Sequence, residues 1–153
     1  MTREMTRAPG EAGDADGWYE IALEVRDYEL DFQGIVNNAN YFHYFEHARN
    51  SFVRERGIDL LAMHGDGVDA VVHRAEIDYR VPLAARERFT VRCRASREGR
   101  LRLVFEETIV KEGGVESARG RFVVALVRDG RPVPVLDETA RALSLACPPP
   151  AGS

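Results

Sequence analysis

The sequence predicts an α+β fold in which a curved antiparallel β-sheet wraps around one long central α-helix. Three observations carry this reading. A strand-like run beginning at Trp18 precedes a helical stretch with a single apolar face, four long strand-like runs follow it, and turn residues separate those runs. At 153 residues the chain fits one domain, large enough to bury roughly two thirds of its unfolded surface without disulfide or metal staples.

The elements follow in order. Residues 1–17 (MTREMTRAPGEAGDADG) hold no apolar stretch suited to a signal peptide or a membrane anchor and read as a disordered tail. The domain then spans 18–145. WYEIALEVR alternates as a strand, and after the loop DYELDFQGIV the period changes to that of a helix from Asn38 to Arg56. Asn37 is a suitable N-cap, its side-chain oxygen able to accept from the N–H of Ala39 or Asn40, and Gly57 is a suitable stop. Tyr41, Phe45, Ala48 and Phe52 fall within about 60° on a helical wheel, with Phe42 and Val53 widening the stripe.

Strands are expected over Val68–Arg80, Glu87–Ser96, Arg100–Lys111 and Glu116–Arg128 in meander-like succession, with turns at Val81-Pro82, Glu98-Gly99 and Gly113-Gly114. DETARALSLA opens a short helix with Asp137 as its cap, and residues 146–153 form a disordered end. A sheet covered by a single helix leaves strand edges and apolar surface to be paired, so a homodimer or homotetramer is expected.

Charge and cysteine content narrow the function. A net charge of -4 and a pI near 5.6 argue against a nucleic-acid partner, which wants clustered positive charge. The densest basic stretch, Arg86–Arg102, alternates arginine with apolar residues and reads as the wet face of strands. No membrane partner is expected. Cys93 sits at a strand position suited to a small apolar residue, and with only Cys147 besides it there is no disulfide framework or metal cluster; a reducing cytoplasm is the natural compartment.

The chemistry concentrates in residues 31–49, DFQGIVNNANYFHYFEHAR. Asp31 lies seven residues before Asn38, across a Gly-containing turn that brings its carboxylate toward the helix N-terminus. There the first N–H groups lack intrahelical partners and carry the positive end of the helix dipole. An electrophilic carbonyl held between the two has a donor for its oxygen and a carboxylate for its carbon or for a water, which is an acyl-transfer arrangement. Thioesters suit it because a thiolate leaves with little help from an acid. No Ser-His-Asp or Cys-His constellation and no GxSxG is present.

The same stretch resembles the signature of hotdog-fold thioesterases of the 4-hydroxybenzoyl-CoA thioesterase family. Asp31, Gly34, Ile35-Val36, Asn37-Asn38, Tyr41, Glu46 and Arg49 match its order without a gap, and the likeness extends over about Tyr19 to Ala142. One departure is that the family's usual Gly-His before Val-Asn-Asn reads Gly34-Ile35 here, which removes a polar side chain beside the site. The resemblance implies a hotdog fold and hydrolysis of an acyl thioester carried on CoA or an acyl carrier protein, with no cofactor. It implies Asp31 as nucleophile or general base and the backbone N–H of Asn38 as the donor polarising the thioester oxygen. Gly34, Ile35, Val36, Asn37, Tyr41 and Arg49 are then expected to bind substrate or shape the site, Arg49 having a structural pairing with Glu46 as its other reading.

Two other readings stand beside this one. His43, Glu46 and His47 match H-x-x-E-H, an inverted zincin spacing, on the helix side opposite the aromatic stripe. A non-catalytic hotdog that only binds an acyl carrier or a small ligand is the third, against which stands the retention of a carboxylate at position 31.

Overall fold

The structure is a computed structural model that describes residues 7–143. The expected disordered end at 146–153 lies outside the described residues, as do the first six residues of the expected tail. In chain order the elements are β1 (Ala12–Ala15), β2 (Trp18–Glu24), a 3-10 turn (Asp27–Glu29), α1 (Asn38–Glu55), α2 (Leu60–Gly65), β3 (Val68–Tyr79), β4 (Arg88–Glu98), β5 (Arg102–Lys111), β6 (Glu116–Arg128), β7 (Arg131–Val133) and α3 (Asp137–Leu143). The strands form one antiparallel sheet in the order β1-β2-β4-β5-β6-β3, with β7 added to β6, and α1 packs on its apolar face. This is the hotdog arrangement.

Periodicity explains the core. Along β4, Phe89, Val91 and Cys93 point inward; β5 contributes Phe105 and Ile109, and β6 contributes Phe122 and Val124. Against them lie Tyr41, Phe45, Ala48 and Phe52 of α1. Tyr19 stacks on Phe52 at 5.1 Å, and Phe45 meets Phe122 at 5.3 Å. The outward arginines of β4 pair across strands, Arg92 with Glu20 at 2.9 Å and Arg94 with Glu106 at 2.6 Å, so the alternating basic stretch is a solvated face. Phe42 departs from the expected stripe: it is exposed, because it lies on the flank of α1 toward the sheet edge, touching Phe122 edge-on.

Several sequence expectations are corrected. Ala12–Ala15, assigned to the tail, is an edge strand paired from Ala12↔Ile21 to Ala15↔Trp18. Asp16 and Gly17 make its two-residue turn with φ of 51° and 80°, the left-handed pair that a tight hairpin requires. The meander holds for β4-β5-β6, but β3 lies beyond β6 and does not neighbour β4. Hence the chain after β3 must cross the sheet, and residues Val81–Pro82 travel past the N-terminus of α1 as it does so. Asp137 is the first residue of α3, not its cap, since the Ala140 N–H bonds to the carbonyl of Leu136. The α2 helix, capped by Asp59 accepting from Leu61 and Ala62, and β7 were both unanticipated.

Candidate active site

Residues 29–37 are folded back on themselves by local bonds. The Asp31 N–H donates to the carbonyl of Ile35 at 2.8 Å, the Gly34 N–H to that of Asp31 at 3.1 Å, and Leu30 bridges Val36. Gly34 closes this turn at φ 78°, where a Cβ would meet no neighbour but would strain the backbone. Its role is conformational. The turn is held against the β3–β4 crossing by the Val36 N–H donating to Leu83 at 2.8 Å and by a bridge between Ile35 and Ala84.

Asn37 then caps α1, its Oδ1 accepting from the Ala39 N–H at 2.9 Å. Its backbone is extended (φ -57°, ψ 135°) and its own N–H donates to the carbonyl of Glu29 at 2.9 Å. Asn38 is the first helical residue, and among the described residues no acceptor takes its N–H. The Asp31 carboxylate uses Oδ1 to accept from the Gln33 N–H at 2.8 Å, a local turn bond that leaves Oδ2 free among the described residues.

Asp31, Ile35, Val36, Asn38 and Tyr41 line one pocket of about 350 Å³. The structure thus brings together these five expected residues, while Gly34 and Asn37 stand behind the pocket and shape it. The opposite wall consists of Tyr79, Arg80, Val81 and Pro82, which sequence reasoning read as a strand end and a turn. Tyr79 donates to the Asn38 carbonyl at 2.9 Å and packs edge-on to Tyr41 at 5.1 Å. Burial, with Tyr41 beside it, raises the Tyr79 phenol above its ordinary value. Tyr41 in turn accepts from the Leu83 N–H at 3.1 Å, and Arg80 is engaged by Glu116 at 3.0 Å.

Arg49 is not part of this pocket. Its guanidinium lies 4.1 Å from the centroid of Phe122 and pairs with the fully buried Glu107 at 2.7 Å, in place of the expected pairing with Glu46. Burial pushes the Glu107 carboxyl up to about 8 against the attraction of Arg49, and it raises the adjacent Cys93 thiol as well.

The H-x-x-E-H spacing is divided by the helix. His43 and His47 face a second pocket, of about 670 Å³, on the β2 side of α1, together with Glu29 and Tyr44. Glu46 lines an apolar cavity of about 120 Å³ on the β3 side, beside Arg49, Val53, Met63 and Val72. Among the described residues no group of three His, Cys, Asp or Glu side chains is placed to hold a metal ion. The zincin reading therefore lacks the geometry it needs.

The profile of the thioesterase-like superfamily matches residues 25–143. An acyl-acyl carrier protein thioesterase of Arabidopsis thaliana, a chloroplastic protein, is 39% identical over 95 residues, or 62% of this chain and 50% of that protein. The chain thus spans about half the length of that relative. Among solved structures, a hypothetical protein from Aquifex aeolicus is 30% identical with a TM-score of 0.76, the match covering 82% of this chain and 98% of that one. The dynemicin thioesterase is 27% identical with a TM-score of 0.76, over 82% of this chain and 94% of that one. The profile covers the turn that bears Asp31, the whole of α1 and every strand from β3 to β7, and on that ground the chain belongs to the thioesterase-like superfamily.

Proposed function

We propose that this protein hydrolyses an acyl thioester, carried on CoA or on an acyl carrier protein, to the free carboxylic acid and thiol. The observation that carries this is one pocket with a free carboxylate oxygen of Asp31 on one wall and the untaken N–H of Asn38 on another. The thioester oxygen accepts from that N–H, which strengthens as negative charge develops on the oxygen. Asp31 either takes a proton from the water that attacks the carbon, or attacks the carbon itself to give an acyl-enzyme that water then cleaves. In both routes the C–S bond breaks as a C–O bond forms, and the thiolate leaves. The unbroken match from Asp31 to Arg49 supports assignment to the 4-hydroxybenzoyl-CoA thioesterase family within the superfamily. The buried free thiol of Cys93 is in keeping with a reducing cytoplasm.

We also infer a homodimer formed through β3. That strand is twelve residues long, pairs only with β6 among the described residues, and exposes Val71, Val72 and Tyr79 by nearly half. A two-fold antiparallel pairing of two such edges would set Tyr79 of one copy beside the Val68 end of the other. It would also bring the apolar cavity behind Ala70 and Val72 of the partner copy alongside the Asp31 pocket, where an acyl chain would extend. The test is hydrolysis of a panel of acyl-CoA and acyl-carrier-protein thioesters of varied chain length and aromaticity, with chelator present. Turnover of at least one is expected; no turnover of any defeats the proposal.

A further inference from the structure

Glu29 is an acid that the reaction does not use, yet it is buried, close in sequence to the exposed Arg26 and Asp27. Its carboxylate accepts a hydrogen bond from the Tyr44 hydroxyl, in the second turn of α1. The backbone carbonyl of the same residue accepts from the Asn37 N–H at 2.9 Å and from the Asn40 side-chain amide at 2.8 Å. Residues 37, 40 and 44 follow a spacing of three and four, so they form one stripe running down the helix. Residue 29 is therefore fastened to α1 at three points along that stripe. Asp31 follows two residues later, and the turn bonds from 30 to 36 fix its position relative to 29. Among the described residues, the Glu29 carboxylate makes the one hydrogen bond from a side chain of this loop to the body of α1 beyond its cap.

We propose that Glu29 is a positioning residue for the reaction: held by Tyr44, it sets the separation between the Asp31 carboxylate and the Asn38 N–H across the pocket. This rests on the reading of Asp31 and Asn38 given above. The physical reason is that the two reacting groups sit on different segments, one on the turn and one on the helix, and their spacing is fixed only as well as the turn is fixed to the helix. A misplacement near 1 Å costs about a hundredfold in rate. The arrangement is a clamp on the β2 flank of α1, opposite the flank that bears the pocket.

The test uses Glu29→Leu, Tyr44→Phe, the double variant and Asp31→Asn, measured in full-length protein for kcat, KM and thermal midpoint. Glu29→Leu fills a similar volume with no acceptor for the Tyr44 hydroxyl, and Tyr44→Phe keeps the ring packed on Phe89 at 4.7 Å, so each removes the bond while retaining the packing. The expected result is a fall in kcat of about tenfold or more in each single variant with KM within about twofold. The double variant should fall no further than the worse single one, because both remove the same clamp. A kcat within twofold of native in both single variants, with Asp31→Asn inactive, overturns the proposal and leaves the site reading intact. So does a loss that appears only as lower thermal midpoint or raised KM. Full activity in Asp31→Asn overturns the site reading and the clamp with it.

Discussion

The two carboxylate oxygens of Asp31 differ: one accepts from the Gln33 N–H, and the other, which has no hydrogen-bond partner among the described residues, is the one proposed to act on substrate. Asp31→Asn keeps the first bond and removes the charge, so the loop should survive while kcat falls by about a hundredfold or more. Native-like circular dichroism with unchanged kcat in that variant would remove Asp31 from the mechanism. That Asp31 shares a pocket with Asn38 was legible because the motif is local, a carboxylate, a glycine and a cap within a few residues. Glu107 was not, since Glu106 and Glu107 differ in sequence only by which face of β5 each occupies, although the inward parity of Phe105 and Ile109 was a usable signal. Its carboxyl sits near 8 in the folded chain against an ordinary value of 4.5, so the folded state holds a proton that the unfolded state releases. The resulting stability is complete below about pH 4.5 and is lost as pH rises through about 8. Glu107→Gln mimics the protonated form. Its thermal midpoint should therefore exceed that of the native protein at pH 9 by at least ~3 °C relative to the difference at pH 6, the shift that roughly 1 kcal/mol makes in a chain of this size. Parallel curves for the two proteins between pH 6 and pH 9 would contradict it.

At the scale of elements, α1 matters first through its end. Asn38→Pro removes the proposed donor without disturbing the helix, because proline at the first helical position breaks no intrahelical bond and Asn37 already has the extended backbone that a following proline requires. The variant should fold with near-native stability and lose about 10² to 10³ in kcat, the scale of one oxyanion donor, while Asn38→Ala, which keeps the N–H, loses far less. Equal kcat in the two variants, both with native circular dichroism, would exclude the backbone donor. The helix and the long strands were readable because each repeats its period over many residues: α1 and β6 begin where the pattern places them. Short elements carry too few periods for that. For β1 the usable signal was the Asp16-Gly17 pair, and for α2 it was Asp59 before an apolar run. The position of β3 outside β6 was not legible at all, since strand order is a matter of long-range pairing. That misplacement hid the Tyr79–Pro82 wall of the pocket.

At the scale of the molecule, the two ends of the sheet differ. The β1 edge is four residues long, whereas β3 is a twelve-residue edge strand whose alternate residues turn their backbone groups outward, about 40 Å of edge at the usual rise per residue. Long exposed edges of this kind are usually covered, and a second copy of the β3 edge would meet it with matching faces. Tyr79, Ile77 and Ala75 oppose Ala118, Gly120 and Phe122 of β6, all on the helix side, and after the bulge so do Val72 and Ala70 opposite Val124 and Leu126. In the proposed dimer, pairing about the middle of the strand would set 79, 77 and 75 against 68, 70 and 72 of the partner copy, with both helix-side faces turned the same way. His73 offers a clean test of this edge. The β6 register passes over it between Val72 and Arg74, so proline there removes no paired position of the β3–β6 ladder while deleting a donor and distorting the strand at the middle of the free edge. Native protein should sediment as a dimer or a dimer of dimers, and His73→Pro should weaken the dimer at least tenfold with circular dichroism unchanged. Because the partner copy would supply the cavity for the acyl chain, the dissociated variant should lose activity toward long acyl thioesters more than toward short ones. A native protein that sediments as a fully active monomer at micromolar concentration would reject both the interface and the shared pocket.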